Sequence, residues 1–388
     1  MTKNKVLGAF LNFILPGLGN FYARKTRKGI LTYILSFIVV LSLRFIAYNF
    51  TLFLIAFLLI IGFYLYLIIS GYQDVEKHKE YGHSTFDKWY VYILIILFHW
   101  GLLNTMRGGT LDAITPINFA SIPTRAMDPA LQVGDILAFK RTKSIERNDV
   151  IIFWFPDSSN SQFISPNTMY IKRSVGLPGD TLQIKSSMVW INGVPLTEGQ
   201  LRFEYLVTTD GAPIHRRILE KNNLKETDYY MRSSDMYQFF LLSEQAQALR
   251  ELKFLKSVER SVASEGKRDP MAYPASGNFD WNADFYGPLY IPKKGDKISL
   301  SDDNIDLYLR CIESENGKVT RDDSGLMING QLTTTYQFKE NYFFMMGDNR
   351  HDSLDSRFWG LVPEKLIIGK AMYLYWGSSS ERIGKRII

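Results

Sequence analysis

Apolar positions are spread unevenly along the chain, and that unevenness divides it. Within the first 107 residues three stretches read as spanning helices: Gly29–Tyr48, Leu52–Gly71 and Trp89–Met106. A bilayer core takes roughly 20 residues of predominantly apolar helix. Arg44 lies near enough to one end of the first stretch to snorkel. The second carries no charge, and Arg107 closes the third, which is shorter and rich in aromatics. Val6–Tyr22 is apolar too, but Pro16-Gly17-Leu18-Gly19 breaks it after roughly ten residues, too few to cross. It is read as a short interfacial or re-entrant helix. A cleavable leader is disfavoured, because no small-x-small site follows and an RKTRK cluster does.

Beyond residue 107 the period shortens. Segments dense in β-branched and aromatic residues alternate with turn signals: Asp135–Lys140, Asp149–Phe155, Thr181–Ile184, Met188–Ile191, Leu326–Ile328, Tyr342–Met346 and Lys370–Trp376. Asn192-Gly193 and Asn329-Gly330 each sit where a tight hairpin turn needs positive φ. The expectation is a mainly antiparallel β domain. Between about 201 and 335 the pattern changes: Glu244–Leu255 carries helix formers with helical spacing, and Gly266–Asp284 is polar loop. The expected organisation is therefore a segment 1–28, a membrane anchor 29–107, a β core from 108–200 and 336–388, and an inserted α+β lobe 201–335.

Charge adds an orientation. The net charge of +6 is modest for 388 residues, and no basic stripe with interleaved aromatics suggests nucleic acid. Lys3, Lys5, Arg24, Lys25, Arg27 and Lys28 precede the first span, and Lys77, Lys79 and Lys88 lie between the second and third. Basic loops stay cytoplasmic, which places the part after residue 107 outside a multi-pass cytoplasmic membrane anchor. The single cysteine, Cys311, excludes an internal disulfide, and the five histidines lack metal-ligand spacing.

Three boxes carry candidate chemistry: Ser121–Asp135 (SIPTRAMDPALQVGD), Tyr170–Asp180 (YIKRSVGLPGD) and Gly347–Pro363 (GDNRHDSLDSRFWGLVP). Taken together and in this order they resemble the type I signal peptidases, membrane-bound serine/lysine proteases that remove signal peptides. The resemblance covers neither residues 1–107 nor about 201–335. It implies that Lys172 is the general base, a role open to a lysine only when burial makes its ammonium costly. It implies Thr124 as a side-chain oxyanion donor, Ser353 as a hydrogen-bond partner of Lys172, and Asp355 with Arg357 as a supporting ion pair. Ile122, Met127, Leu131, Tyr170 and Ile171 fall where the family lines shallow pockets for small side chains, although core packing explains apolar residues there equally well. No metal and no cofactor is implied. The implied partners are signal peptides of secreted preproteins and membrane lipid, with the secretion machinery as a further candidate.

One position departs. The family's box reads P-S-x-S-M-x-P-T-L, and here it stands as Pro123-Thr124-Arg125-Ala126-Met127-Asp128-Pro129-Ala130-Leu131. The nucleophilic serine falls on Ala126, and a methyl group cannot attack a carbonyl. Three readings stay open: an active peptidase whose nucleophile has been replaced, a natural homologue that binds signal-peptide-like segments or a partner peptidase without cutting, and cleavage through another hydroxyl such as Ser121. A membrane-anchored β protein without proteolytic chemistry is the alternative from another class.

Overall fold

The computed structural model describes residues 3–47, 49–76, 88–107, 117–156, 168–276, 279–322 and 325–387. They form two compact units, Met1–Ala120 and Ser121–Ile388. Tyr48, Lys77 and Lys79 lie outside the described residues, as do the side chains of Arg44 and Arg107.

The first unit is helical: Lys5–Ile14, Leu18–Tyr22, Thr26–Ile46, Phe50–Glu76 and Trp89–Arg107. Two of these helices, Thr26–Ile46 and Phe50–Glu76, contain stretches long and apolar enough to cross a membrane, and the apolar part of the last, Trp89–Asn104, is shorter. Leu31, Leu59 and Phe98 are exposed on their outward faces, the reverse of a helix bundle built for water. The expected break in Val6–Tyr22 is present. Gly17 has φ +97°, and a Cβ there would collide with the Gly29 carbonyl, so only glycine fits. Asn12 bridges the break: its Oδ1 accepts from the N–H groups of Gly17 (3.1 Å) and Gly19 (2.8 Å), and its Nδ2 donates to the Leu67 carbonyl at 2.8 Å. These bonds satisfy helix-end groups that apolar surroundings would leave unpaired. Asp74 accepts from Asn20 Nδ2 at 2.7 Å and pairs with Lys25 (2.8 Å) and Lys28 (2.6 Å). The short N-terminal helices therefore pack on Phe50–Glu76.

In the second unit, strands Ile136–Arg141, Ile367–Trp376, Val150–Trp154, Met169–Gly176, Tyr342–Met346 and Val362–Pro363 lie side by side in that order, each antiparallel to its neighbours. A second sheet joins Tyr286–Tyr290 to the meander Thr181–Lys185, Met188–Ile191 and Val194–Pro195. Both Asn-Gly pairs turn as expected, with φ of 52° and 81° at Asn192 and Gly193 and of 54° and 78° at Asn329 and Gly330. Ile191 then pairs with Val194, and Ile328 with Gln331.

Residues 201–335 do two different things. Strands Phe203–Thr209, Tyr229–Met231, Met236–Leu241 and Leu255–Arg260 form their own sheet with helices Arg216–Lys221 and Ser243–Arg250, over a core that includes Tyr205, Val207, Phe239, Leu241 and Leu249. Tyr286, Leu289, Ile305, Tyr308 and Ile312 instead share a core with Val175, Leu182 and Phe344. The helix expected over Glu244–Leu255 ends at Arg250, because Leu255 starts the strand that pairs with Thr209. Sheet pairing overrides the local helical spacing there.

Candidate active site

Lys172 lies on the strand Met169–Gly176, opposite Ile151 on one neighbour, while Arg173 faces Met346 on the other. Strand alternation puts Tyr170 and Lys172 on one face, and Lys172 Nζ lies 5.7 Å from the Tyr170 ring centroid. Tyr170 is itself packed edge-on against Trp359, with centroids 5.0 Å apart, and against Phe155 at 5.1 Å. This aromatic wall leaves Lys172 3% exposed. Burial lowers its pKa to about 8, Asp355 opposes that shift through space, and Arg357 reinforces it. A neutral amine is therefore accessible near neutral pH.

Gly347 follows Met346, so continuing the register sets it across from Lys172. A Cβ on Gly347 would collide with both Ser353 Oγ and the Ala126 carbonyl. The three sequence boxes thus meet at this glycine. The segment after it is held by its own charges. Asp355 caps the helix Ser356–Trp359, accepts from the Gly347 N–H at 3.1 Å, and pairs with Arg357 through Nε and Nη2, each at 2.8 Å. Burial alone would push the Asp355 carboxyl up, but Arg357, the Gly347 N–H and Lys172 together outweigh it and the net shift is downward. Arg357 Nη2 also donates to the Arg350 carbonyl at 2.5 Å. Burial raises the Asp352 carboxyl, with Arg125 and Lys172 opposing.

Ala126 is 6% exposed, and its carbonyl accepts from the Asn349 N–H at 3.1 Å. Asn349 Nδ2 donates to the Arg125 carbonyl at 3.3 Å. Thr124 and Ser121 are exposed. The hydrogen bond from Ser353 to Lys172 that the resemblance implies is not made: Ser353 Oγ is buried without any hydrogen-bond partner. Of the expected pocket residues, Ile122, Met127 and Leu131 are packed inside the protein, and Tyr170 and Ile171 keep partial exposure.

Several buried polar groups escaped the reading by sequence. Arg173 and Asp348 form a two-pronged ion pair, Nε to Oδ1 at 2.7 Å and Nη2 to Oδ2 at 2.6 Å. Both stand inside the quoted motifs, and strand alternation already sends Arg173 to the face opposite Lys172. Arg350 pairs with Glu198. His351 is a bridge: one ring nitrogen lies 2.9 Å from Asp284 Oδ1, and the other accepts from the Glu204 N–H at 3.1 Å. Its partners lie 67 and 147 residues away, beyond the reach of any local pattern.

The family model described as signal peptidase, peptidase S26, matches residues 92–245 and 291–376. It extends further than the three boxes, into 201–245 and 291–335. A signal peptidase I of Buchnera aphidicola subsp. Schizaphis graminum is 25% identical over 270 residues, 66% of each protein. One from Aquifex aeolicus is 25% identical over 260 residues, covering 66% of this chain and 74% of that one. The chain thus spans just under two thirds of the length of the Buchnera protein. A signal peptidase I structure from Enterococcus faecalis is 18% identical and covers 58% of this chain and 96% of its own, with a TM-score of 0.21, too loose a superposition to place any residue. The family match embraces all three boxes that converge at Gly347, and the chain belongs to the signal peptidase family, peptidase S26.

Proposed function

We propose that this protein binds signal-peptide-like segments at a Ser/Lys-type site that lacks its hydroxyl, and that as it stands it does not cut them. What carries this reading is a buried Lys172 amine, brought down to about pH 8, in a site where the nucleophile position holds the Ala126 methyl group. With serine at 126, the hydroxyl oxygen would bond to the scissile carbonyl carbon and Lys172 would take its proton. The oxyanion would be met by backbone N–H groups and the Thr124 hydroxyl. Lys172 would then protonate the departing amine as the C–N bond breaks. Met1–Ala120 would anchor the protein in the cytoplasmic membrane as a multi-pass unit, with Ser121–Ile388 on the extracytoplasmic side, as the basic loops indicate. An extended peptide would lie along the exposed parts of Tyr170 and Ile171 as an added strand.

The test compares the purified chain with Ala126→Ser on a peptide spanning a small-x-small cleavage site. No cutting is expected from the first and cutting from the second, abolished by adding Lys172→Ala. Cutting by the chain as it stands would overturn the assignment of Ala126 and turn attention to Ser121 or Thr124. Peptide binding by both forms without cutting by either would favour the inactive binding homologue.

A further inference from the structure

The segment that carries position 126 is gripped by residues of the lobe at 203–260 and its entry, and the grip is built from charge. Arg125 Nη2 lies 2.6 Å from Asp228 Oδ1. Arg202 Nη1 lies 3.3 Å from the same oxygen, and Arg202 Nε lies 3.3 Å from Asp128 Oδ2. All four side chains are largely out of water, at 16% exposure for Arg125, 9% for Asp128, 7% for Arg202 and 3% for Asp228. Asp228 is fixed in turn by its own turn, accepting from the Lys225 N–H at 2.8 Å. Lys225 Nζ reaches back to Gln132 Oε1 at 3.3 Å. Arg202 is held by its backbone, donating to the Asp348 carbonyl at 3.0 Å and accepting from the Arg350 N–H at 2.9 Å.

A buried charge cluster is a poor way to gain stability, because taking the ions out of water costs as much as their attraction returns. What it supplies is geometry. The side chains on either side of Ala126–Met127 are tied to Asp228 and Arg202, while the carbonyls of Arg125 and Ala126 are tied to Asn349. We propose that Asp228, acting with Arg202, is a positioning residue that holds the backbone of residues 125–128 in the register that aims position 126 at Lys172. The inference rests on the functional reading above. It assigns the lobe a part in the reaction that acts through the backbone of residues 125–128.

Two readouts test it, and the first needs no catalysis. In the full-length chain, Asp228→Asn is expected to speed amide hydrogen exchange across 122–131 by about ten-fold or more while leaving Phe203–Thr209 and Met236–Leu241 protected, since local opening is separable from global unfolding. Unchanged exchange at 122–131, or equal acceleration in all three segments, would overturn the proposal. In the Ala126→Ser background, Asp228→Asn should lower kcat by about ten- to a hundred-fold, because displacements of order 1 Å at a reacting group cost that much. KM should stay within about three-fold, and Asp228→Glu should recover most of the loss, because its carboxylate can still pair with both arginines. A kcat unaffected by Asp228→Asn, or equal losses in the Asn and Glu variants, would also overturn it. If Ala126→Ser does not cleave at all, the Ser/Lys part of the functional reading fails, peptide binding is then measured separately, and the exchange measurement still decides the positioning role.

Discussion

The two loops that meet at Gly347 are built differently. Residues 347–359 carry a knot of their own, in which Asp355 caps its own helix, pairs with Arg357 two residues on, and takes the Gly347 N–H, while Arg357 reaches the Arg350 carbonyl. Their other charges, Asp348, Arg350 and His351, pair with Arg173, Glu198 and Asp284 from elsewhere. Residues 121–131 make fewer such bonds. Their charged side chains pair with Asp228 and Arg202, and two of their carbonyls depend on Asn349. Both loops take distant partners, but only the first also holds a buried ion pair between its own residues; the second pairs its charges with residues more than 70 positions away in sequence. On the proposed reading, a site assembled this way would keep its lysine and its scaffold with alanine at 126, because the side chain at 126 makes none of these bonds.

That contrast can be broken in graded steps. The largest effect is expected at Asp355→Ala, which leaves the Arg357 guanidinium, 1% exposed, without its carboxylate. Stranding one member of a buried pair costs about 3–5 kcal/mol, which a denaturant titration would read as a large fall in the unfolding midpoint. A loss under about 1 kcal/mol would mean the pair is solvated and the loop is not self-supporting. Gly347→Ala comes next. The added methyl must displace Ser353 or the Ala126 carbonyl, and overpacking of this kind costs about 1–3 kcal/mol. In the Ala126→Ser background it should remove cleavage before it unfolds the protein. Full activity in this variant would show that the boxes do not converge there.

The pH profile is a subtler probe. As the proposed base, Lys172 would work as the free amine, and burial has brought its pKa down to about 8. Below that value the amine fraction falls about ten-fold per pH unit, so kcat/KM of Ala126→Ser should climb from pH 6 and level off above about 8. A flat profile over this interval would remove Lys172 as the base. The smallest effect belongs to the surface. Arg216 and Glu220 form an exposed i,i+4 pair, with side chains 78% and 59% accessible. Arg216→Ala should change stability by no more than about 0.5 kcal/mol and leave exchange at 122–131 untouched.

Much of the fold was legible in the chain because it rests on local rules. Period-2 runs bounded by turn residues placed Met188–Ile191 and Tyr342–Met346 without error at either end, and the two Asn-Gly pairs turned where positive φ was required. The Pro16-Gly17 break interrupted the N-terminal apolar run as expected. The strands at Phe203–Thr209 and Met236–Leu241 were not singled out, although Asp210-Gly211 closes the first and Ser233-Ser234-Asp235 precedes the second; they pair with each other antiparallel across the connection 210–235, which no local run displays. Glu244–Leu255 misled in the opposite sense, its helical spacing running past the point where Leu255 joins that sheet.

By itself the sequence determined which side chains were available for chemistry: a lysine in a strand, a serine and an Asp-Arg pair in a turn, and a methyl group where a hydroxyl would be needed. Those are identities, and no packing changes them. Tertiary structure alone decided the state and company of each. The Lys172 amine has its lowered pKa because the fold buries it, with the Tyr170 ring beside it. His351 is a bridge because Asp284 and Glu204 arrive from elsewhere, and Ala126 is held because Asp228 and Arg202 fold back over its neighbours. Desolvation and ion pairing act through space at a few ångströms, so they depend on contacts that the order of residues along the chain does not display.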